Sequence, residues 1–146
     1  MKSKLMFAVA TVLLVACGGA GGAESKLSDG TYLSTESTAP LSGATLVLDL
    51  TAKTAVVTLT GASAVTLQLT AVPKAQWEKG CPTQMSSVTI ETYTIAPDPA
   101  ELGTLSLSTP RFVAGCGSSG ANPDEVVIEG TGAPNSTSYH LAFHRR

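Results

Sequence analysis

Short runs in which every second residue is apolar, broken at intervals by Gly, Pro, Asn or Ser, constrain this chain most. Successive side chains of an extended backbone point to opposite sides, so a period of two belongs to strands with one buried face. Across residues 45–51, Leu46, Leu48 and Leu50 share one face, while Val47 and Asp49 take the other. After Ala52-Lys53 the pattern resumes, with Val57 and Leu59 inward and Thr58 and Thr60 outward, which reads as a tight hairpin. Gly61-Ala62-Ser63 makes the next turn, beyond which Val65, Leu67 and Leu69 oppose Thr66, Gln68 and Thr70.

Further strands are expected at Gly30 to Ser34, about Ser87 to Ile95, Gly103 to Ser108, Arg111 to Ala114, Glu125 to Glu129 and Ser138 to His144. In the last, Tyr139, Leu141 and Phe143 alternate with His140, Ala142 and His144. Parallel neighbours need crossovers of about a dozen residues or more, and most connections here are shorter. The expectation is an all-β fold, a small antiparallel meander of about eight to nine strands closed as a barrel or stacked as a sandwich, with one disulfide.

The N-terminus has a different character. Lys2 and Lys4 precede an apolar run from Leu5 to Ala16. As a helix, its twelve residues would reach ~18 Å, against a hydrocarbon core of ~30 Å, so it is too short to span and reads as a secretory signal. It ends in Leu14-Val15-Ala16-Cys17, which resembles the lipobox of bacterial lipoprotein precursors. The resemblance covers about the first 20 residues and implies that the Cys17 thiol receives a diacylglycerol, that cleavage falls before it, and that the new amine is acylated. Several acyl chains make a durable anchor where one binds only marginally. In enterobacterial members of that class an Asp after the Cys is the usual inner-membrane retention signal. Gly18 stands there instead, so the resemblance favours an outer membrane if the organism has one.

The expected organisation is a signal peptide over residues 1–16, a Gly-rich flexible tether over 17–26 carrying lipidated Cys17, and a single β domain over 27–146. Of the nine Lys and Arg, Lys2 and Lys4 fall in the signal, which takes the net charge from −2 to −4 and argues against a nucleic-acid partner.

With Cys17 acylated, Cys81 and Cys116 remain in a chain delivered to an oxidising compartment, and one disulfide accounts for both. That bond would tie the loop around Trp77 to the loop Gly115 to Gly120. A redox pair usually keeps its sulfurs closer in sequence, and zinc needs three or four ligands. His140 and His144 are four apart, hence ~13 Å apart on a strand, and read as solvated outer-face residues.

Catalytic signals are weak, and neither a cofactor nor a metal is expected. Gly117-Ser118-Ser119-Gly120-Ala121 lacks the last Gly of a nucleophile elbow and precedes no helix. Asp98, Glu101, Asp124 and Glu125 read as loop carboxylates, and Asn135-Ser136-Thr137 as a turn before the last strand. The chain is therefore expected to be a non-enzymatic envelope module that binds another protein or a surface component through its loops. Trp77 is the candidate contact, its other possible role being a plug for the core. The alternative is a carrier of a small apolar ligand. An eight-strand meander is similar in outline to lipocalin barrels, although Gly30-Thr31-Tyr32 stands where lipocalins have Gly-x-Trp.

Overall fold

The computed structural model describes residues 24–80, 88–117, 120–132 and 136–146. Its strands are β1 (Glu24–Ser25), β2 (Gly30–Ser34), β3 (Thr45–Asp49), β4 (Thr54–Thr58), β5 (Val65–Ala71), β6 (Glu78–Lys79), β7 (Thr89–Ile90), β8 (Thr92–Ala96), β9 (Ala100–Leu102), β10 (Leu105–Gly117), β11 (Gly120–Gly132) and β12 (Thr137–Arg145). Eight of them pair antiparallel in the order β2-β3-β4-β5-β8-β10-β11-β12, and β12 returns to β2. The result is a closed up-and-down barrel, and closure removes the exposed edges of an open sheet. The seam is Phe143 opposite Ser34, His144 opposite Leu33 and Arg145 opposite Tyr32.

Alternation decides what the barrel encloses. Tyr32, Leu46, Leu48, Ala55, Val57, Leu67 and Ile95 are buried, as are Phe112, Val126, Ile128, Leu141 and Phe143. Between them Thr31, Thr66 and Thr70 are exposed. Tyr32, Leu46, Leu67, Leu107, Phe112, Val126, Ile128 and Phe143 have zero exposure. A side chain with none has no water-sized void against it, so the interior is a packed core.

Two expected strands are one. Pro110 suggests a break between 103–108 and 111–114, but β10 runs through it with a bulge, its register against β11 shifting between Ser108 and Arg111. Proline cannot donate to a ladder, and a bulge is where a strand tolerates it. Thr109 takes φ +48, and its N–H donates to Asp98 Oδ1 at 2.9 Å. The bulge also changes parity, so that Leu107 before it and Phe112 after it both face inward. A second shift, between Ala114 and Gly115, brings β11 so close that a Cβ on Gly115 would lie 2.5 Å from Glu125 Cβ. Strand β9 pairs with the same edge of β10 as β8 does and continues its line beyond the Pro97-Asp98-Pro99 bend.

The reverse happens at Ser87 to Ile95, expected as one strand. β7 leaves the barrel to join a small sheet of order β1-β7-β6, and only β8 stays. The chain divides at Glu91, whose N–H donates to Ser25 O (2.9 Å) and whose carbonyl accepts from Ala114 N (3.1 Å). Its carboxylate accepts from Leu27 N (2.7 Å) and from the Tyr93 hydroxyl (2.9 Å). These bonds correct the expected tether. Glu24 and Ser25 form β1, parallel to β7, and Ser25 is buried with its hydroxyl donating to Gly115 O at 3.1 Å. The folded part thus includes Glu24 to Lys26, because Glu91 and Gly115 supply partners that a Gly-rich segment lacks by itself.

Tyr93 makes this junction sensitive to alkali. Burial first, then the hydrogen bond to Glu91, push its hydroxyl up to about 12, whereas an unfolded tyrosine ionises near ~10. Between those values the folded state holds a proton that the unfolded chain has lost, so stability falls as pH rises through that window and is unaffected by this group below it. Burial raises Tyr32 in the same direction. Thermal melts followed by circular dichroism should give a midpoint that declines above about pH 10, and Tyr93→Phe should make the decline shallower. Equal slopes in both proteins would remove Tyr93 as the cause.

Candidate functional site

Because the inward faces fill the barrel, exposed chemistry lies outside it. On the outer face of β11, Glu125, Val127 and Glu129 alternate with the buried Val126 and Ile128, and on β12 His140, Ala142 and His144 do the same around Leu141 and Phe143. The register sets Glu125 opposite His144, Val127 opposite Ala142 and Glu129 opposite His140. Val113 of β10 continues the row and is buried although it faces outward, because the small sheet lies over it.

Between that sheet and the wall lies a cleft of about 360 Å³, with Val113, Val127 and Ala142 as floor and Ile90 beside them. Glu78, Glu125, Glu129 and His140 stand around it. Arg111 ties the two sides together, its guanidinium pairing with Glu78 and, at 2.8 Å, with Glu129. Glu129 also lies 3.2 Å from His140 Nδ1, and Glu125 Oε2 lies 2.8 Å from His144 Nε2. Past Arg111 and His140 a shallower cleft of about 150 Å³ continues along Thr109, Thr131, Ser138 and Tyr139. An apolar floor with a rim of fixed charges is the composition of a recognition surface.

The two histidines are exposed, each beside its own carboxylate, and do not converge. Among the described residues no group of three or more His, Cys, Asp or Glu could hold a metal ion. Asp98 holds the Thr109 N–H, and Glu101 accepts from the Ser106 hydroxyl at 2.7 Å. Gly117 pairs with Gly120, so the near-elbow joins strand to strand and lacks the helix that such a turn needs. Ser118, Ser119 and Asn135 lie outside the described residues.

Trp77 follows a short 3₁₀ turn, Lys74–Gln76, and is half-buried outside the barrel core. Its indole N–H donates to Val72 O at 2.8 Å, and Lys74 Nζ stands 6.0 Å from the ring centre. Cys116 borders the cleft, half-buried and disulfide-bonded. Cys81, its expected partner, lies outside the described residues, as does Cys17.

The charged row escapes a search for local motifs because no short stretch contains it. The signal is a matched spacing: Glu125 and Glu129 four apart, His140 and His144 four apart, on strands that a tight meander pairs antiparallel. Comparison with family models, with curated proteins and with solved structures finds no match to this chain in any of the three.

Proposed function

We propose that this chain is a lipoprotein of the cell envelope, held in the membrane by acyl chains on Cys17, and that its barrel is a non-enzymatic binding module. The anchor rests on Leu14-Val15-Ala16-Cys17, and an outer membrane is favoured where the organism has one. The observation that carries the module reading is the burial of the inward side chains, with Tyr32, Leu46, Leu67, Phe112, Ile128 and Phe143 at zero exposure. A carrier needs a lumen, and a packed interior leaves recognition to the outer surface. The lateral cleft and half-buried Trp77 supply such a surface, for an envelope protein or a surface component. The net charge of −4 from Cys17 onward, the whole-chain −2 less Lys2 and Lys4, argues against a nucleic-acid partner.

Growth with labelled palmitate should mark the wild type and leave Cys17→Ser unlabelled and uncleaved. Equal labelling of the two would refute the anchor. Mass spectrometry of the purified protein tests the module, because a retained small apolar molecule would move the reading to a carrier.

A further inference from the structure

The register of β10, β11 and β12 sets the outer wall in transverse rows. Arg111, Glu129 and His140 form one, and Val113, Val127 and Ala142 form the next. Beyond the apolar row Glu125 stands opposite His144, and on the other side of the Arg111 row Thr131 stands opposite Ser138. Alternate residues of a strand lie ~6.8 Å apart, so the four rows extend over ~20 Å. The apolar row is thus held between two charged ones.

Those charges do not balance. Arg111 is shared by Glu78 and Glu129, which leaves one negative charge among the three. Glu125 pairs with no Lys or Arg, its partner being His144 Nε2 at 2.8 Å, and histidine counts as neutral at pH 7. Only 16% of the Glu125 side chain is exposed. A carboxylate so enclosed attracts a cation more strongly than one in open water. Other cations of this region are directed elsewhere. Lys79 follows Glu78 on β6, so alternation points it to the opposite face of the small sheet. Arg145 lies 5.8 Å from the centre of the Tyr32 ring. Asp124 and Arg146, both exposed, contribute one charge each at that end and cancel. Three carboxylates against one guanidinium therefore leave the cleft with two negative charges above an apolar floor.

We infer that this cleft takes an extended basic segment of an envelope protein, with a Lys or Arg head against Glu125. The stem and an apolar neighbour cover Val127, Ala142 and Val113, and polar residues continue past Arg111 along Thr131 and Ser138. The inference deepens the recognition surface proposed above and rests on it. A bare metal ion lacks ligands, since among the described residues no three His, Cys, Asp or Glu converge. A wholly apolar ligand would strip water from Glu125 without replacing it, and an acidic one would be repelled. Long cationic side chains lay their stems on apolar surface and keep the charge at its polar edge, which is the arrangement offered here. A small free amine would fill one row only. An extended chain of about six residues spans the same ~20 Å as all four.

A random heptapeptide library displayed on phage, selected on the full-length protein in detergent, tests the chemistry. Enriched sequences should carry Lys or Arg beside Val, Ile or Leu. The synthetic peptide made from the most enriched sequence should bind Glu125→Gln at least about tenfold more weakly than wild type, the size of effect expected for a lost charged partner. It should bind Ala142→Phe, which fills the cleft from the wall, as weakly, and should be released in high salt. Melts establish that both variants are folded. No enrichment, enriched peptides without a basic residue, or undiminished binding to either variant overturns the inference. A photo-crosslinking residue in place of Ala142, used in native membranes, separates this from the broader reading. A crosslink to an envelope protein alongside a failed selection strikes the basic segment and leaves the outer wall as the recognition surface. Failure of both strikes that surface as well.

Discussion

Replacing Phe112 with alanine should lower the free energy of unfolding by about 3–5 kcal/mol, the range for truncating a fully buried aromatic. Phe112 has zero exposure and sits on β10 with Tyr93 of β8 opposite on one side and Ile128 of β11 on the other. All three are buried, and a barrel wall held by hydrogen bonds on both edges of β10 cannot collapse far into the gap. Equilibrium unfolding in urea should show the midpoint falling with the slope unchanged. The result also bears on function. A loss below about 1 kcal/mol would mean that the interior accommodates the missing ring without a cavity, as a loosely filled carrier would, and would count against the packed module.

The second large effect is expected at Cys116. If Cys81 is its partner, the bond closes a loop of about 35 residues, worth about 2–5 kcal/mol when removed from a small exported domain. The loop contains β7, β8, β9 and most of β10, so cutting it releases the small sheet from the barrel wall and widens the unfolded ensemble. Peptide mapping without reduction should recover residues 81 and 116 on one linked species, and the double variant Cys81→Ala, Cys116→Ala should melt well below the wild type. Alkylation of both thiols before any reductant is added would refute the pairing.

The sequence is most informative where a strand has a long, regular face. β2 and β12 lie where alternation places them, at Gly30–Ser34 and Thr137–Arg145, because the large apolar Tyr32, Leu141 and Phe143 recur at every second position of their strands between neighbours that stay outside the core. It is least informative where pairing is decided by distant groups. In Val88 to Ile95 the apolar phase slips across Glu91-Thr92, between Ile90 and Tyr93, but nothing in that stretch indicates that Glu91 will be claimed by Ser25, Leu27 and Ala114 and so divide the run between two sheets. β1 and β6 are two residues long, too short to show any period. Pro110 misleads in the opposite sense, since a proline that usually ends a strand is absorbed by a bulge.

The candidate site follows the same division. The outward placement of His140 and His144 is visible in the alternation of β12. Their pairing with Glu129 and Glu125 depends on the β11–β12 register, and the junction of Arg111 with Glu78 depends on a sheet that no local pattern announces. Trp77 stands out by composition, as the lone indole in a loop. Its half-buried position beside Lys74 is a product of the tertiary structure.

The seam between β2 and β12 joins residues more than a hundred positions apart, at Phe143 with Ser34 through Arg145 with Tyr32. A ring of neighbours that is otherwise sequential can zip strand by strand, but it becomes a ring only when its two extremes meet. Until residues 143–145 have emerged, Gly30–Ser34 has one unsatisfied edge, and the polypeptide is an open ribbon with its apolar face turned to water. High contact order of this kind slows folding. The chain is therefore at its most adhesive in the interval between the arrival of β2 and the arrival of β12.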